Sequence, residues 1–184
     1  PLQGKMAIET NRWHRGYIPI NTSTIVTSSI AKVTKPNQSE SFMMMHDLPD
    51  NDPDVLAGKP LAGPNQWPAS CPGFRETVMQ YNDTLQALCE TLMPAVSVAL
   101  GGDPENLKPY FKRPTTFLRL LHYPAISGPR DEHLYGSAPH TDYGFITILA
   151  QDESGGLQVR PKGGEWIDSQ AGTANTNLIV YILL

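Results

Sequence analysis

The sequence has 184 residues, 40% hydrophobic and 17% charged, with a net charge of −4. That apolar content excludes wholesale disorder. The acidic excess argues against a generic nucleic-acid binder, whose affinity rests on a basic face neutralising phosphates. Cys71 and Cys89 form neither a disulfide framework nor a CxxC metal motif. The chain opens on no basic-then-apolar signal stretch. The apolar run from Leu178 to Leu184 falls far short of the roughly 20 residues that a membrane-spanning helix needs. The expectation is one domain, or one domain with an appended arm, in the reducing cytoplasm, with no nucleic-acid or membrane partner.

Taken in chain order, residues 1–70 read as an irregular N-terminal region. RGYIPI (Arg15 to Ile20) and the stretch through Met43, Met44 and Met45 carry little periodicity, and the methionines read as gap fillers in a packed loop. Asp47 to Ala69 is rich in Pro, Gly, Asp and Asn, an ordered-loop composition that Leu48, Leu61 and Trp67 can anchor. Residues 71–102 read as a supporting helix, with the change of period running from Pro72 to about Leu100. Phe74, Val78, Tyr81, Leu85, Leu88, Leu92, Val96 and Ala99 recur at steps of three and four, one apolar face of a long helix. Pro72 suits its first turn, Pro94 predicts a kink, and Gly101-Gly102 supply the stop. After Pro114 come short strand-like runs: TTFLRLLHYP, FITILAQD, GLQVRP, GEWID and NLIVYILL. Close turn punctuation between the later ones predicts an antiparallel barrel or sandwich over residues 114–184.

The chemistry concentrates in APHTDYGFITIL, Ala138 to Leu149. On a strand, residues i and i+2 share a face about 7 Å apart, so His140 and Asp142 can aim the same way. Imidazole nitrogen and carboxylate oxygen suit a divalent metal. Two histidines and one carboxylate on one face of an octahedron form the non-haem Fe(II) arrangement. HxD alone is common, and equally describes an exposed pair beside a turn. His122 and His133 are weaker candidates, structural and surface respectively; His14 and His46 are assigned nothing.

The segment PHTDYGFITILAQDESGGLQVRPKGGEWID resembles the 2-oxoglutarate/Fe(II)-dependent oxygenases of the isopenicillin N synthase-like class. The motif series agrees in order: RGYIPI, DLP…GPNQWP, the helix ending in ALGG, FLRLLHYP, HTD, GGLQVR and GEWID. The resemblance covers about Arg15 to Asp168. It implies a mainly β fold with helices: a double-stranded β-helix (jelly-roll) core, incomplete at the C-terminus, with the long helix outside it. It implies that His140 and Asp142 are two of three Fe(II) ligands. It points to Tyr123 as a residue holding the cosubstrate 2-oxoglutarate; the competing reading is a core aromatic beside a proline turn. Arg119 and Leu121 share the Tyr123 face by alternation, and Leu121 stands where some relatives have asparagine. Arg119 is either a contact for an anionic substrate or a salt-bridged arginine. Phe145 is the second candidate for contact with substrate.

The family pattern also demands a later histidine ligand, then an Arg-x-Ser whose arginine pairs with 2-oxoglutarate. No histidine follows His140 here, and the last arginine is Arg160. AGTANTNLIVYILL departs from the family's wording, so its apolar part is either the equivalent strand or unrelated sequence. The start, without Met, also reads as cut. The expected function is therefore that of a dioxygenase fragment. An intact relative oxidises a small organic substrate with O2 by hydroxylation, desaturation or cyclisation, coupled to conversion of 2-oxoglutarate to succinate and CO2. The chain itself is expected to be inactive. Two alternatives stand beside this: a non-catalytic jelly-roll binding module, and a cupin-like metal site taking His133 or His122 as third ligand.

Overall fold

The computed structural model describes residues 1–25, 28–125, 127–129, 133–169 and the strand at 179–183. The chain runs α1 (Leu2–Met6), β1 (Gly16–Ile18), β2 (Glu40–Met45), α2 (Pro53–Leu56), α3 (Phe74–Ala99), a 3-10 turn (Lys108–Phe111), then β3 (Phe117–His122), β4 (Thr147–Ala150), β5 (Gln158–Val159), β6 (Ile167–Asp168) and β7 (Ile179–Leu183). Five strands form one antiparallel sheet in the order β1-β2-β3-β7-β4. β5 and β6 make a separate hairpin. The hairpin turns at Gly163 (φ 75°), with the Gly164 N–H donating to the Pro161 carbonyl. A sheet carrying one long helix is what the structure provides of the expected architecture.

The register sorts the sheet into two faces. Phe42 pairs with Leu120 and Met44 with Leu118. Through β7 those rows continue to Ala150 and Ile148. All six belong to the apolar core, packed with Val78, Cys89 and Met93 of α3. Leu118, Met44 and Cys89 are almost fully buried. Phe42, Trp67 and Phe74 form a ring cluster with centroids 5.1 to 6.4 Å apart. The alternate residues Ser41, Met43, Arg119, Leu121, Thr147 and Leu149 occupy the opposite face. The Arg119 Nε donates to Ser41 Oγ at 3.0 Å across that face.

Three expectations need correction. Residues 1–70 are not irregular throughout: RGYIPI contains β1, and the three methionines lie in β2, inside the main sheet. The signal was weak because methionine is not a strand former and the pairing partner lies far away in sequence. Secondly, Pro72 precedes the helix. Gly73, with φ 80°, is the cap residue, and α3 starts at Phe74. The expected apolar face of the helix is only partly the buried one: Phe74, Val78 and Leu85 pack in the core, but the stripe departs from it elsewhere. Val78, Asn82, Cys89, Met93 and Ser97 are buried, while Tyr81, Leu88 and Leu92 are 39–44% exposed. One residue along a helix is a rotation of ~100°. Tyr81, Leu88 and Leu92 are thus one step off the buried stripe, where Asn82, Cys89 and Met93 lie. α3 runs through Pro94 and ends as expected at the glycines: Gly101 N–H donates to Val98 O and Gly102 N–H to Ser97 O, both at 2.9 Å. This is the paired closure of a Schellman motif.

Candidate metal centre

His140 and Asp142 do not lie on a strand. Residues 140–146 are irregular, with bends at 143–145, and β4 begins only at Thr147. The strand-alternation argument therefore fails, yet the two side chains meet: His140 Nε2 lies 3.3 Å from Asp142 Oδ1. What brings them together is a set of neighbours. The Thr147 hydroxyl donates to Asp142 Oδ2 at 2.8 Å, leaving Oδ1 turned toward the histidine. The His140 Nδ1 lies 2.8 Å from the Ala138 carbonyl. A carbonyl only accepts, so Nδ1 carries the hydrogen, and in a neutral imidazole Nε2 presents its lone pair.

With the imidazole neutral, its Nε2 lone pair and Asp142 Oδ1 are both acceptors, facing one another across 3.3 Å. Such an arrangement calls for a cation or a proton between them. Cis ligands of an octahedral ion with bonds of ~2.1 Å stand ~3 Å apart, so the pair fits two adjacent positions of one divalent ion. A ligating histidine whose other nitrogen donates to a backbone carbonyl is the usual support for such a site. Both side chains are about a third exposed, 30% and 32%, which leaves room for further ligands. Among the described residues, no third His, Cys, Asp or Glu completes a cluster with them. His122 is engaged elsewhere, its Nδ1 2.9 Å from Glu40 Oε1, and His133 is exposed; neither joins the pair as third ligand.

The other sequence candidates are placed as follows. Tyr123 follows β3 directly and is partly buried. Its ring lies on Gly136 so closely that a Cβ there would come within 2.8 Å of Cδ1. Tyr123 thus packs on the loop that leads into His140. Arg119 is on the sheet face that also carries Thr147, two strands away through β7, a span of roughly 10 Å. Phe145 packs against Phe111, the rings tilted by 41° with centroids 5.4 Å apart, and is 45% exposed, so it is drawn toward the 3-10 turn.

Sequence reasoning missed the supports. Thr147 had a signal, a hydroxyl at the start of the strand after the HxD pair. Asn37, whose Oδ1 accepts the Ala138 N–H, and Ser28, whose hydroxyl donates to the Pro139 carbonyl, had none that is local. A cleft of about 320 Å3 lies between α3 and the end of β2, lined in part by Met45, Asp47, Asn82 and Glu90; it shares no residue with the pair.

On the far side of the sheet, Glu40 is the hub of a polar knot. It accepts from Lys5 Nζ at 2.8 and 2.9 Å and from the Tyr17 hydroxyl at 2.5 Å, besides its contact with His122. Burial alone would raise the Glu40 carboxyl. The hydrogen bonds from Lys5, Tyr17 and His122 outweigh burial and hold it down at about 2. Burial, aided by Glu40, pushes the Tyr17 hydroxyl up to about 12.

Comparison with known proteins bears on these observations. Residues 114–180 match the 2OG-Fe(II) oxygenase superfamily, and residues 1–70 match the N-terminal region described as that of a non-haem dioxygenase in morphine synthesis. A 2-oxoglutarate-Fe(II) type oxidoreductase of Emericella nidulans is 34% identical over 92% of this chain and 49% of its own length. A 2-oxoglutarate-dependent dioxygenase of Aspergillus niger is 33% identical over 90% of the chain and 49% of its own length. Among solved structures, a full-length Neurospora crassa protein in complex with alpha-KG superposes with a TM-score of 0.73 at 29% identity, covering all of this chain and 54% of its own. A 2OG-Fe(II) oxygenase family protein of Caulobacter crescentus gives 0.74 at 25% identity, covering all of this chain and 55% of its own. The chain spans about half the length of the curated relatives it matches. Among its described residues no helix is long and apolar enough to cross a membrane. The two matched regions, the relatives and the superposed structures agree, and the chain belongs to the 2OG-Fe(II) oxygenase superfamily, enzymes that use Fe(II) and 2-oxoglutarate.

Proposed function

We propose that His140 and Asp142 are Fe(II) ligands of a 2-oxoglutarate-dependent dioxygenase, and that this chain carries them without the remaining ligand. The observation that supports this most directly is the facing pair of acceptors, Nε2 and Oδ1, 3.3 Å apart, each with its sister atom already tied off. Iron bound there supplies the oxidation of a small organic substrate by O2, as 2-oxoglutarate goes to succinate and CO2. The residues of this chain orient the components. Ala138 fixes the imidazole tautomer, and Thr147 fixes the carboxylate rotamer. Tyr123, beside the loop of His140, holds 2-oxoglutarate. Arg119 presents a cation to the substrate from the sheet face, and Phe145 offers an apolar edge. The similar Neurospora crassa protein is solved with alpha-KG and also with alpha-KG and thymine, which is consistent with a small-molecule substrate here.

No histidine follows His140, and no arginine follows Arg160 in this sequence. The chain alone therefore provides neither the third protein ligand on a later strand nor a late guanidinium for the 2-oxoglutarate carboxylate, a contact that is strong and hard to replace. The test is anaerobic Fe(II) titration, with and without 2-oxoglutarate, on the chain and on His140→Ala, followed by a succinate assay in air. Expected are Fe(II) uptake that disappears in His140→Ala and no succinate from the chain alone. Equal uptake by both proteins would remove the metal assignment. Steady succinate production would show that a residue outside this set completes the ligands.

A further inference from the structure

We propose that Asn37 is a positioning residue for the His140–Asp142 site, acting through the Ala138 backbone. The proposal rests on the iron reading of that pair and deepens it. Asn37 is 3% exposed, and its Oδ1 accepts the Ala138 N–H at 3.0 Å across 101 residues of sequence. Its own N–H donates to the Ser23 carbonyl at 2.7 Å, so the Asn37 backbone is itself anchored. On the other side of Ala138, the Ser28 hydroxyl donates to the Pro139 carbonyl at 2.6 Å. A third tie joins Gln38 N–H to the Tyr135 carbonyl at 2.8 Å. Ser28, Asn37 and Gln38 thus hold the backbone of residues 135–139 at three points.

The consequence falls on one atom. The Ala138 carbonyl lies between a peptide held by Asn37 and a peptide held by Ser28, with the Pro139 ring restricting rotation between them. That carbonyl receives the Nδ1–H of His140 at 2.8 Å. A solvated neutral imidazole exchanges between two tautomers. Only the Nδ1–H form aims a lone pair at Asp142 Oδ1. Without Asn37, the Ala138 N–H is buried with no acceptor and the loop must move to satisfy it. The carbonyl then no longer dictates the tautomer, and the site loses its preorganisation rather than its ligands.

The experiment uses the 184-residue chain with three readouts. Nitrogen-15 NMR in mildly alkaline buffer, where imidazole is neutral, reads the His140 tautomer, assigned with His140→Ala. Mn(II) titration reads affinity through broadening of the His140 ring signals. Urea unfolding reads stability. The expected result is an Nδ1–H tautomer in the unaltered chain. Asn37→Leu should give mixed tautomers and Mn(II) binding weaker by about 10- to 100-fold. Asn37→Asp, which keeps an acceptor oxygen, should restore both. If Asn37→Leu lowers the urea midpoint but leaves tautomer and Mn(II) affinity as they were, the residue is merely structural and the proposal is overturned. Should that variant not fold, amide exchange in the unaltered chain decides. An Ala138 N–H slowed at least about tenfold relative to Thr141 supports the proposal, and one exchanging at the Thr141 rate overturns it. Mn(II) that broadens no His140 signal in the unaltered chain removes the iron reading, while the tautomer comparison still judges Asn37.

Discussion

At Asp142 a single hydroxyl decides which oxygen faces His140. Thr147→Val keeps the shape of the side chain and removes the donor to Oδ2. We expect Fe(II) or Mn(II) affinity to fall about tenfold, with stability changed by less than ~1 kcal/mol because the bond is exposed. Titration calorimetry and thermal unfolding on the same samples separate the two effects; unchanged affinity would mean that the carboxylate finds its rotamer unaided. Glu40 makes a different residue-scale prediction. Its folded carboxyl is depressed from 4.5 to about 2, so its contribution is complete above the unfolded value and is lost as pH falls between them. The loss is on the order of 1–3 kcal/mol. Tyr17 has the opposite sense: raised from 10.0 to about 12, it stabilises below 10 and its contribution fades as pH rises through that interval. Glu40→Gln should flatten the acid limb of the urea midpoint plotted against pH, and an unaltered limb would refute the assignment. The close approach of His140 and Asp142 was legible because two chemistry-bearing side chains lie two residues apart in sequence. The route to it was wrong, since bends and a threonine align the pair, not strand alternation. Asn37 was illegible for a physical reason: its partner is distant in the chain, and a buried amide side chain has no periodic signature.

Among the elements, α3 shows how far a sequence pattern reaches. The three- and four-residue spacing predicts a helix and its end correctly, because periodicity and glycine both act locally. It predicts the buried stripe only in part, at Phe74, Val78 and Leu85, because the choice at the other positions is made by the sheet. Cys89 and Met93 enter the core while Leu88 and Leu92 remain largely outside it. The C-terminal cap can be tested directly. Gly101 has φ 81°, and an added Cβ would meet no atom within 4 Å. The cost of Gly101→Ala is therefore a backbone cost of about 1 kcal/mol, visible as a fall in Tm of about 2–4 °C. A Tm unchanged by the substitution would mean that the closing turn reforms with another geometry. Of the strands, β3 was plain in FLRLLH, a short apolar run that flanks Arg119 on both sides. β1 and β2 were hidden because they owe their form to pairing: the three residues of β1 lie beside β2, and β2 lies beside β3.

For the molecule as a whole, the sheet order matters more than any single strand. β7 pairs on one side with β3 and on the other with β4. Among the described residues β4 joins the sheet through β7 alone. β4 begins with the threonine that orients Asp142. Truncation after Leu178 should therefore leave α3, β2 and β3 packed while β4 loses its ladder. Amide exchange at Ile148 and Leu149 should then approach the exposed rate, and Mn(II) binding at His140 should fall with it. Continued protection of β4 would show that the site holds together without its neighbour.

The interleaved strand order also sets a timetable. During synthesis, β1, β2, α3 and β3 can emerge and pack before the His140–Asp142 pair has a sheet to rest on, because the strand that ties β4 in is made last among them. Long-range pairing of this kind closes late, after its entropy of loop closure has been met. The His140–Asp142 geometry is thus expected to form late, with the histidine and aspartate beside an unpaired β4 until residues 179–183 are made and docked.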